Sequence, residues 1–487
     1  MKKLLNQLKT PIFDVIRTHA ERQVTSFHTP GHKNGQGIDL AFKDFIGDNT
    51  FKVDLTVFPE VDSLHDPVSC IKEGQELYAE LVGAKKTFFL LNGSSMGNQA
   101  MFLAAFKPGD SVIISRNAHK SAMSGIILSG VWPIWIQPEL DSDFDVFFDS
   151  SSEQIEDALN KFPEAKAVFI TNPTYNGIMT DLEKIAKLVH NQGKILLVDE
   201  AHGAHLGFNK KLPGSAIQCG ADLVVQSAHK TLAVLSQGSV LHYNSEIVDM
   251  NKVRKVVSLI QTTSPNYLIL ASLDVARRQM YENGEKLLDK MVDNANYFLS
   301  TQDKFKKFRF LTKADVAKNG FNLDTLKITI NVTETGIEGQ VLSEILAKDY
   351  NIQFDCADFF NLIAILGVGT TKKDLDCLVE ALLDIEKRCD GHLESNSINF
   401  PELTTEMVFS PRDVFLSEET ELVSLSDAAG YISAQTLTPY PPGIPVLIPG
   451  ERITPKICEY LQTLDSRSIR VSGQEHKKLE YLKVLKV

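Results

Sequence analysis

The sequence predicts an α/β protein: a mostly parallel sheet with helices on both faces, followed by smaller α+β units. Three observations carry this. Between residues 86 and 245, short β-rich apolar runs alternate with helix-length segments, the order that strands joined by crossover helices require. Most of these runs are continuously apolar rather than alternating, which is how strands covered on both faces read. With 487 residues, 43% of them apolar, the chain can bury a large core and fill two to three domains.

The strands expected in order are Lys86 to Leu91, Ser111 to Ser115, Val131 to Gln137, Ala167 to Thr171, Lys194 to Asp199, Asp222 to Gln226 and Ser239 to Tyr243. Helical stretches lie between them at Met96 to Phe106, Lys120 to Ser129 and Asp181 to Asn191. A long helix from Tyr267 to about Asp289 leads out of this region. There follow a strand (Leu326 to Val332), a helix (Glu338 to Lys348), two strands (Ile352 to Cys356 and Phe359 to Ala364) and a helix (Lys372 to Arg388), an order that suits a small α+β layer. Residues 389–399 are polar and rich in turn formers, a linker composition. The last piece holds Tyr440-Pro441-Pro442-Gly443-Ile444-Pro445, too proline-rich for regular structure, and the loop Pro449-Gly450-Glu451. The expected division is an N-terminal segment (1–24), a large domain (25–300), a small α+β domain (301–389) and a C-terminal domain (390–487).

Bulk properties narrow the function. A net charge of -12 leaves no basic face for phosphate backbones and argues against nucleic acid as a partner; an acidic surface suits a cationic substrate. The six cysteines form no CxxC pair and no metal-ligand spacing, so neither a disulfide framework nor a metal site is expected. Asn6, Gln7, Lys9 and Pro11 interrupt any signal-type apolar core, and no apolar run reaches membrane-spanning length. A soluble, cytoplasmic protein is expected.

The ends of the strands carry the chemistry. Each expected strand of the parallel region runs into small or polar residues, and sheets of this kind bind ligands at those ends. His-Lys occurs four times, at 32–33, 119–120, 229–230 and 476–477, so the dipeptide means little alone. His476-Lys477 lies in a polar tail and reads as solvated surface. Lys230 directly follows a buried strand and Ser227-Ala228-His229. A lysine there either snorkels to water or, if its amine sheds its proton, forms a Schiff base with an aldehyde. Pyridoxal phosphate would also need an anion cradle, a carboxylate for the pyridine nitrogen and groups on the two ring faces. Gly93-Ser94-Ser95, at a strand-to-helix turn, offers N–H groups and hydroxyls to a phosphate. Asp199 ends a strand as a carboxylate; His119 suits one ring face and small Ala201 the other. Singly each has an ordinary explanation: a helix cap, a turn, a structural histidine. Their order at successive strand ends singles out the set.

These residues make the chain resemble the fold-type-I pyridoxal-phosphate enzymes, and specifically the Orn/Lys/Arg decarboxylase family. The matching stretches include Phe27-His28-Thr29-Pro30-Gly31-His32-Lys33, Val61-Asp62-Ser63-Leu64-His65, Asn92-Gly93-Ser94-Ser95, Arg116-Asn117-Ala118-His119-Lys120-Ser121, Asp199-Glu200-Ala201-His202-Gly203, Ser227-Ala228-His229-Lys230, Thr262-Thr263-Ser264-Pro265 and Tyr440 to Glu451. The resemblance is to the shorter form, without the N-terminal wing domain of the large inducible members. It implies a fold-type-I large domain, pyridoxal phosphate on Lys230, His119 stacked on the ring and Asp199 on the pyridine nitrogen. Ser94, Ser95, Ser227 and His229 would hold the phosphate, with Thr262 supplied by the partner subunit of a homodimer; Ala201 and His202 complete the cofactor contacts. Glu451 matches an acidic residue facing the cationic end of the substrate, and Asp62 is a second candidate there. Serine stands at 94 where threonine is frequent, keeping the hydroxyl. The implied reaction is decarboxylation of a basic amino acid, with Lys230, His229 or a water returning the proton to Cα, and the product feeding polyamine synthesis. Arginine is favoured by analogy, with lysine and ornithine as alternatives. An aminotransferase or another lyase would use the same lysine and aspartate.

Overall fold

Continuous apolar runs become strands that are largely buried. In the computed structural model these are β1 (Lys86–Leu90), β2 (Ser111–Ser115), β3 (Trp132–Ile136), β4 (Ala167–Thr171), β5 (Ile195–Asp199), β6 (Leu223–Gln226) and β7 (Ser239–Tyr243). Every residue of β5, β6 and β7 is buried. The sheet order is β1-β7-β6-β5-β4-β2-β3. Strands β2–β3, β2–β4 and β5–β6 pair in parallel, and β7 runs antiparallel to both neighbours. The structure describes residues 5–22, 24–393, 406–440, 444–466, 470–474 and 479–486. Most of the expected linker, the 441–443 proline run and His476-Lys477 lie outside these.

The chain divides into two compact units. The first comprises residues 1–104, 197–290 and 367–369. Its helix α1 (Gly93–Ala105) lies close on the sheet because residue 97 has no side chain. A Cβ at Gly97 would sit 2.2 Å from Val225 Cγ2 and 2.9 Å from Leu90 Cδ1, too near for any other residue. The helix begins at Gly93 rather than at Met96, so the Gly-Ser-Ser run is its first turn.

The second unit comprises residues 105–196, 291–366 and 370–487. It holds a four-stranded antiparallel sheet of β8 (Arg309–Phe310), β9 (Lys327–Asn331), β10 (Cys356–Ala357) and β11 (Asn361–Ile365) in the order β8-β9-β11-β10. The strand expected over residues 352–356 is thus confined to its last residue and the one after. Helices Gly339–Tyr350 and Lys372–Glu386 belong to this layer, the latter opened by a Thr371/Asp374 capping box. In the C-terminal piece, helix Pro455–Ser466 packs Ile457, Leu461 and Leu464 into a core with Leu437, Val446, Leu447 and Leu482. The long helix expected to end near Asp289 runs on to Leu299. No helix among the described residues is long and apolar enough to cross a membrane.

Candidate active site

In the first unit, the ends of β5 and β6 and the start of α1 bring most of the expected residues into direct contact. Asp199 closes β5 and is 2% exposed. Its Oδ2 accepts a 2.6 Å bond from Asn98 Nδ2, and its Oδ1 a 3.0 Å bond from the Ala201 N–H. Both donors are neutral, so they fix the carboxylate without cancelling its charge. Asn98 escaped the sequence reading, although a signal was present: it stands four residues after Ser94 on the same helix, hence on the same face.

The phosphate candidates meet as well. Ser227 Oγ donates to Ser94 Oγ over 2.8 Å, joining the end of β6 to the first turn of α1. Ser95 is the next residue of that turn and, like Ser94, is half-buried. Gly93 has φ +68° with nothing within 4 Å of a would-be Cβ, a left-handed turn in open space that suits glycine. A helix N-terminus with two adjacent hydroxyls is a fit for a phosphate.

Lys230 sits on a single helical turn, α2 (Ala228–Thr231). Its Nζ lies 2.9 Å from Nε2 of His202, which is 3% exposed on the loop after β5. His229 donates Nδ1–H to the Gly238 carbonyl at 2.9 Å, leaving Nε2 bare; burial lowers its pKa from the usual histidine value, so the ring is neutral. The Ser227 N–H donates to the Ala201 carbonyl, tying the two strand-end loops together. Amine, lone carboxylate, hydroxyl pair and small Ala201 make a donor set that fits pyridoxal phosphate.

Behind Asp199 runs a buried polar chain that no sequence motif announced. Glu200, fully buried, accepts from the Ala216 N–H and from Gln226 Nε2, both at 2.7 Å. Gln226 Oε1 lies 3.0 Å from His242 Nε2, and His242 Nδ1 lies 2.8 Å from Thr87 Oγ1. Burial pushes the Glu200 carboxyl up to about 8 and the His242 imidazole down to about 3.

Of the two acidic residues expected to meet the substrate, Asp62 lies in this first unit. Asp62, 3% exposed, accepts backbone N–H bonds from Ser63 and Val68 on Oδ1 and from Ser69, Ile71 and Lys72 on Oδ2. Those five donors saturate the carboxylate, which anchors the start of helix Cys70–Val82. Thr262 is exposed, and its hydroxyl accepts from the Ser264 N–H.

The second unit holds His119 and Glu451. His119 caps helix Lys120–Ser129, its Nδ1 accepting from the Ser121 N–H at 3.3 Å, so the ring proton is on Nε2. Glu451 is fully buried; Oε2 accepts from Arg116 Nη2 at 2.7 Å and from the Ile448 N–H at 3.0 Å, and Oε1 accepts from Arg116 Nη1. Arg116 also donates Nε–H to the Pro445 carbonyl at 2.9 Å and lies over the Trp135 ring. The expected substrate-facing carboxylate is therefore already neutralised by a bidentate guanidinium. Neither the pairing nor the role of Arg116 was evident from the sequence.

Residues 10–374 match the family described as Orn/Lys/Arg decarboxylase, major domain, and residues 397–480 match its C-terminal domain. The chain belongs to the Orn/Lys/Arg decarboxylase family. It is 37% identical over 490 residues to an arginine decarboxylase of Bacillus subtilis, covering 99% of both chains. It is 38% identical over 486 residues to an arginine decarboxylase of Halalkalibacterium halodurans, covering 99% of this chain and 98% of that one. Among solved structures, the lysine decarboxylase of Francisella novicida superposes with a TM-score of 0.85 at 24% identity, over 98% of this chain and 81% of that one. As in its decarboxylase family, the cofactor is pyridoxal phosphate and the enzyme a carboxy-lyase acting on a basic amino acid.

Proposed function

We propose that the substrate is arginine, decarboxylated to agmatine with release of carbon dioxide. The observation that carries the reaction is the meeting of Lys230 with His202 beside an Asp199 held only by neutral donors. The choice of arginine rests on relatives bearing that name that match this chain end to end. The structural neighbour named for lysine shares 24% identity, which bears on fold alone.

Pyridoxal phosphate, linked to Lys230, supplies an electron-accepting ring that takes up the electrons of the breaking carboxylate bond. The chain's own residues do the rest. Asp199, oriented by Asn98 and Ala201, holds a proton on the pyridine nitrogen, where the carboxylate acts most strongly as charge develops. Ser94, Ser95 and Ser227 with the α1 N-terminus bind the phosphate, and His229 supports the same loop. His119, with its proton on Nε2, would stack on the ring as its motif implies, and small Ala201 would leave room on the other face. The cytoplasm and polyamine synthesis are the setting this reaction suits.

The protein acts as a homodimer in this reading, with Thr262 serving the neighbouring copy. The exposed side of Thr262 suits this, and Phe27, Phe45 and Leu259, at 94%, 86% and 79% exposure, are apolar side chains that a second copy could cover. Release of labelled carbon dioxide from arginine, lysine and ornithine by the purified protein tests the proposal. Arginine is expected to give the highest kcat/KM, and a higher value for lysine or ornithine overturns the substrate choice. A keto acid without carbon dioxide would instead indicate an aminotransferase.

A further inference from the structure

The Lys230 amine has a side-chain partner, His202, to which the resemblance gives only a cofactor contact. The 2.9 Å contact between Nζ and His202 Nε2 puts a proton between two nitrogens. Three arrangements fit: the ammonium donates into the imidazole lone pair, the imidazolium donates into the amine, or a neutral imidazole N–H donates into a neutral amine. Both cannot be cationic, because His202 is 3% exposed and two like charges at that separation repel strongly where water is scarce. An amine attacks a carbonyl carbon only in its neutral form.

We propose that His202 is the proton acceptor that makes Lys230 nucleophilic, an assignment that rests on the pyridoxal phosphate reading above. The step is a proton transfer: an N–H bond breaks at Nζ, one forms at Nε2, and the positive charge moves from the amine to the imidazole. The freed lone pair then forms the bond to the aldehyde carbon, and the carbonyl oxygen departs as water with the two protons left on the amine. When the substrate amine later displaces Lys230, the same proton returns to Nζ.

The surrounding ionisable groups leave this role to His202. His229, beside Lys230, has its Nδ1–H tied to Gly238, and its basicity is lowered by burial and further by the Lys230 charge. On the His202 loop, Asp199 is engaged by Asn98 and Ala201, and Glu200 by Gln226 and Ala216. His205 lies on the same loop and is fully buried.

The test follows capture of the cofactor by full-length protein freed of it. Pyridoxal phosphate is mixed in, and the visible band of the lysine-linked form is timed from about pH 6 to about pH 10. The wild-type capture rate is expected to have its midpoint at least about one unit below the ordinary lysine value. His202→Gln keeps a polar side chain but has no basic nitrogen. Its capture at neutral pH is expected to slow at least about tenfold, with the midpoint moving up. Added imidazole should restore the rate in His202→Ala. A wild-type midpoint at the ordinary lysine value overturns the proposal with no variant needed, and so does a His202→Gln protein with unchanged rate and midpoint. Failure of the underlying reading looks different: wild type would develop no band at any pH, or Lys230→Ala would develop the wild-type band, and either result removes this inference too.

Discussion

Asp199 and Glu451 are both buried carboxylates, one in each unit, and their surroundings differ in kind. Glu451 faces the two terminal nitrogens of Arg116 and an N–H, so its charge is cancelled where it stands. Asp199 receives one amide and one backbone N–H, both neutral. Burying a charge without a counter-charge is costly, and a fold that does so keeps that charge for a cation arriving from outside. Asp62 marks a third case, in which five N–H donors stand in for the counter-charge. In the proposed reading, completeness of charge compensation, rather than burial, is what would separate a carboxylate suited to chemistry from those that hold the chain in place.

The widest break in this comparison comes from the cation-forming side. Lys230→Ala is expected to abolish the visible cofactor band and lower turnover by at least about 10³-fold; an unchanged spectrum would refute its assignment. Asp199→Asn retains the shape and loses the charge. It should bind cofactor and melt within a few degrees of wild type, yet lose on the order of 10²- to 10³-fold in kcat. If stability falls and kcat holds, Asp199 is structural and the contrast with Glu451 collapses. Glu451→Gln should behave in the opposite way. It strands the Arg116 charge in a buried site, an effect of about 3–5 kcal/mol seen in urea unfolding. Replacing both partners, as Arg116→Met with Glu451→Leu, should recover much of that loss, because two apolar groups leave no unpaired charge behind.

The sequence carried the strands because each is short, apolar and bounded by turn formers, and it carried the positions of Lys230, Asp199 and the serines because strand ends are readable from strand bodies. What it did not carry depends on alignment between distant segments. Gln226 pairs with Val240 and Thr87 with His242, and only that register lines Glu200, Gln226, His242 and Thr87 across neighbouring strands. Arg116 and Glu451 are more than 300 residues apart, and no local pattern signals that one neutralises the other. The motif around Glu451 gives its position but not its partner. The start of α1 was misplaced because Gly-Ser-Ser reads as a turn, whereas the helix begins three residues before Met96, at Gly93.

The smallest expected effect concerns the chain behind Asp199 and sharpens the comparison within a single unit. Glu200 has a folded pKa raised to about 8 against roughly 4.3 unfolded, so the folded state holds more protons between those values. Its contribution to stability is full below the unfolded pKa and is lost as pH rises through about 8. His242, lowered to about 3 from roughly 6.5, acts in the other direction: its contribution is full above the unfolded pKa and is lost as pH falls toward about 3. Between roughly pH 6.5 and 8 only Glu200 contributes a slope. Glu200→Gln mimics the protonated acid. Its amide can accept from Ala216 and donate to a turned Gln226, which then donates to His242 Nε2, with His242 Nδ1–H donating to Thr87. Urea midpoints for wild type should therefore fall across that window relative to Glu200→Gln, and the difference between the two curves isolates this one group. A constant difference would mean that Glu200 is ionised in the folded protein, giving the first unit two uncompensated carboxylates side by side and removing Asp199 from its singular position.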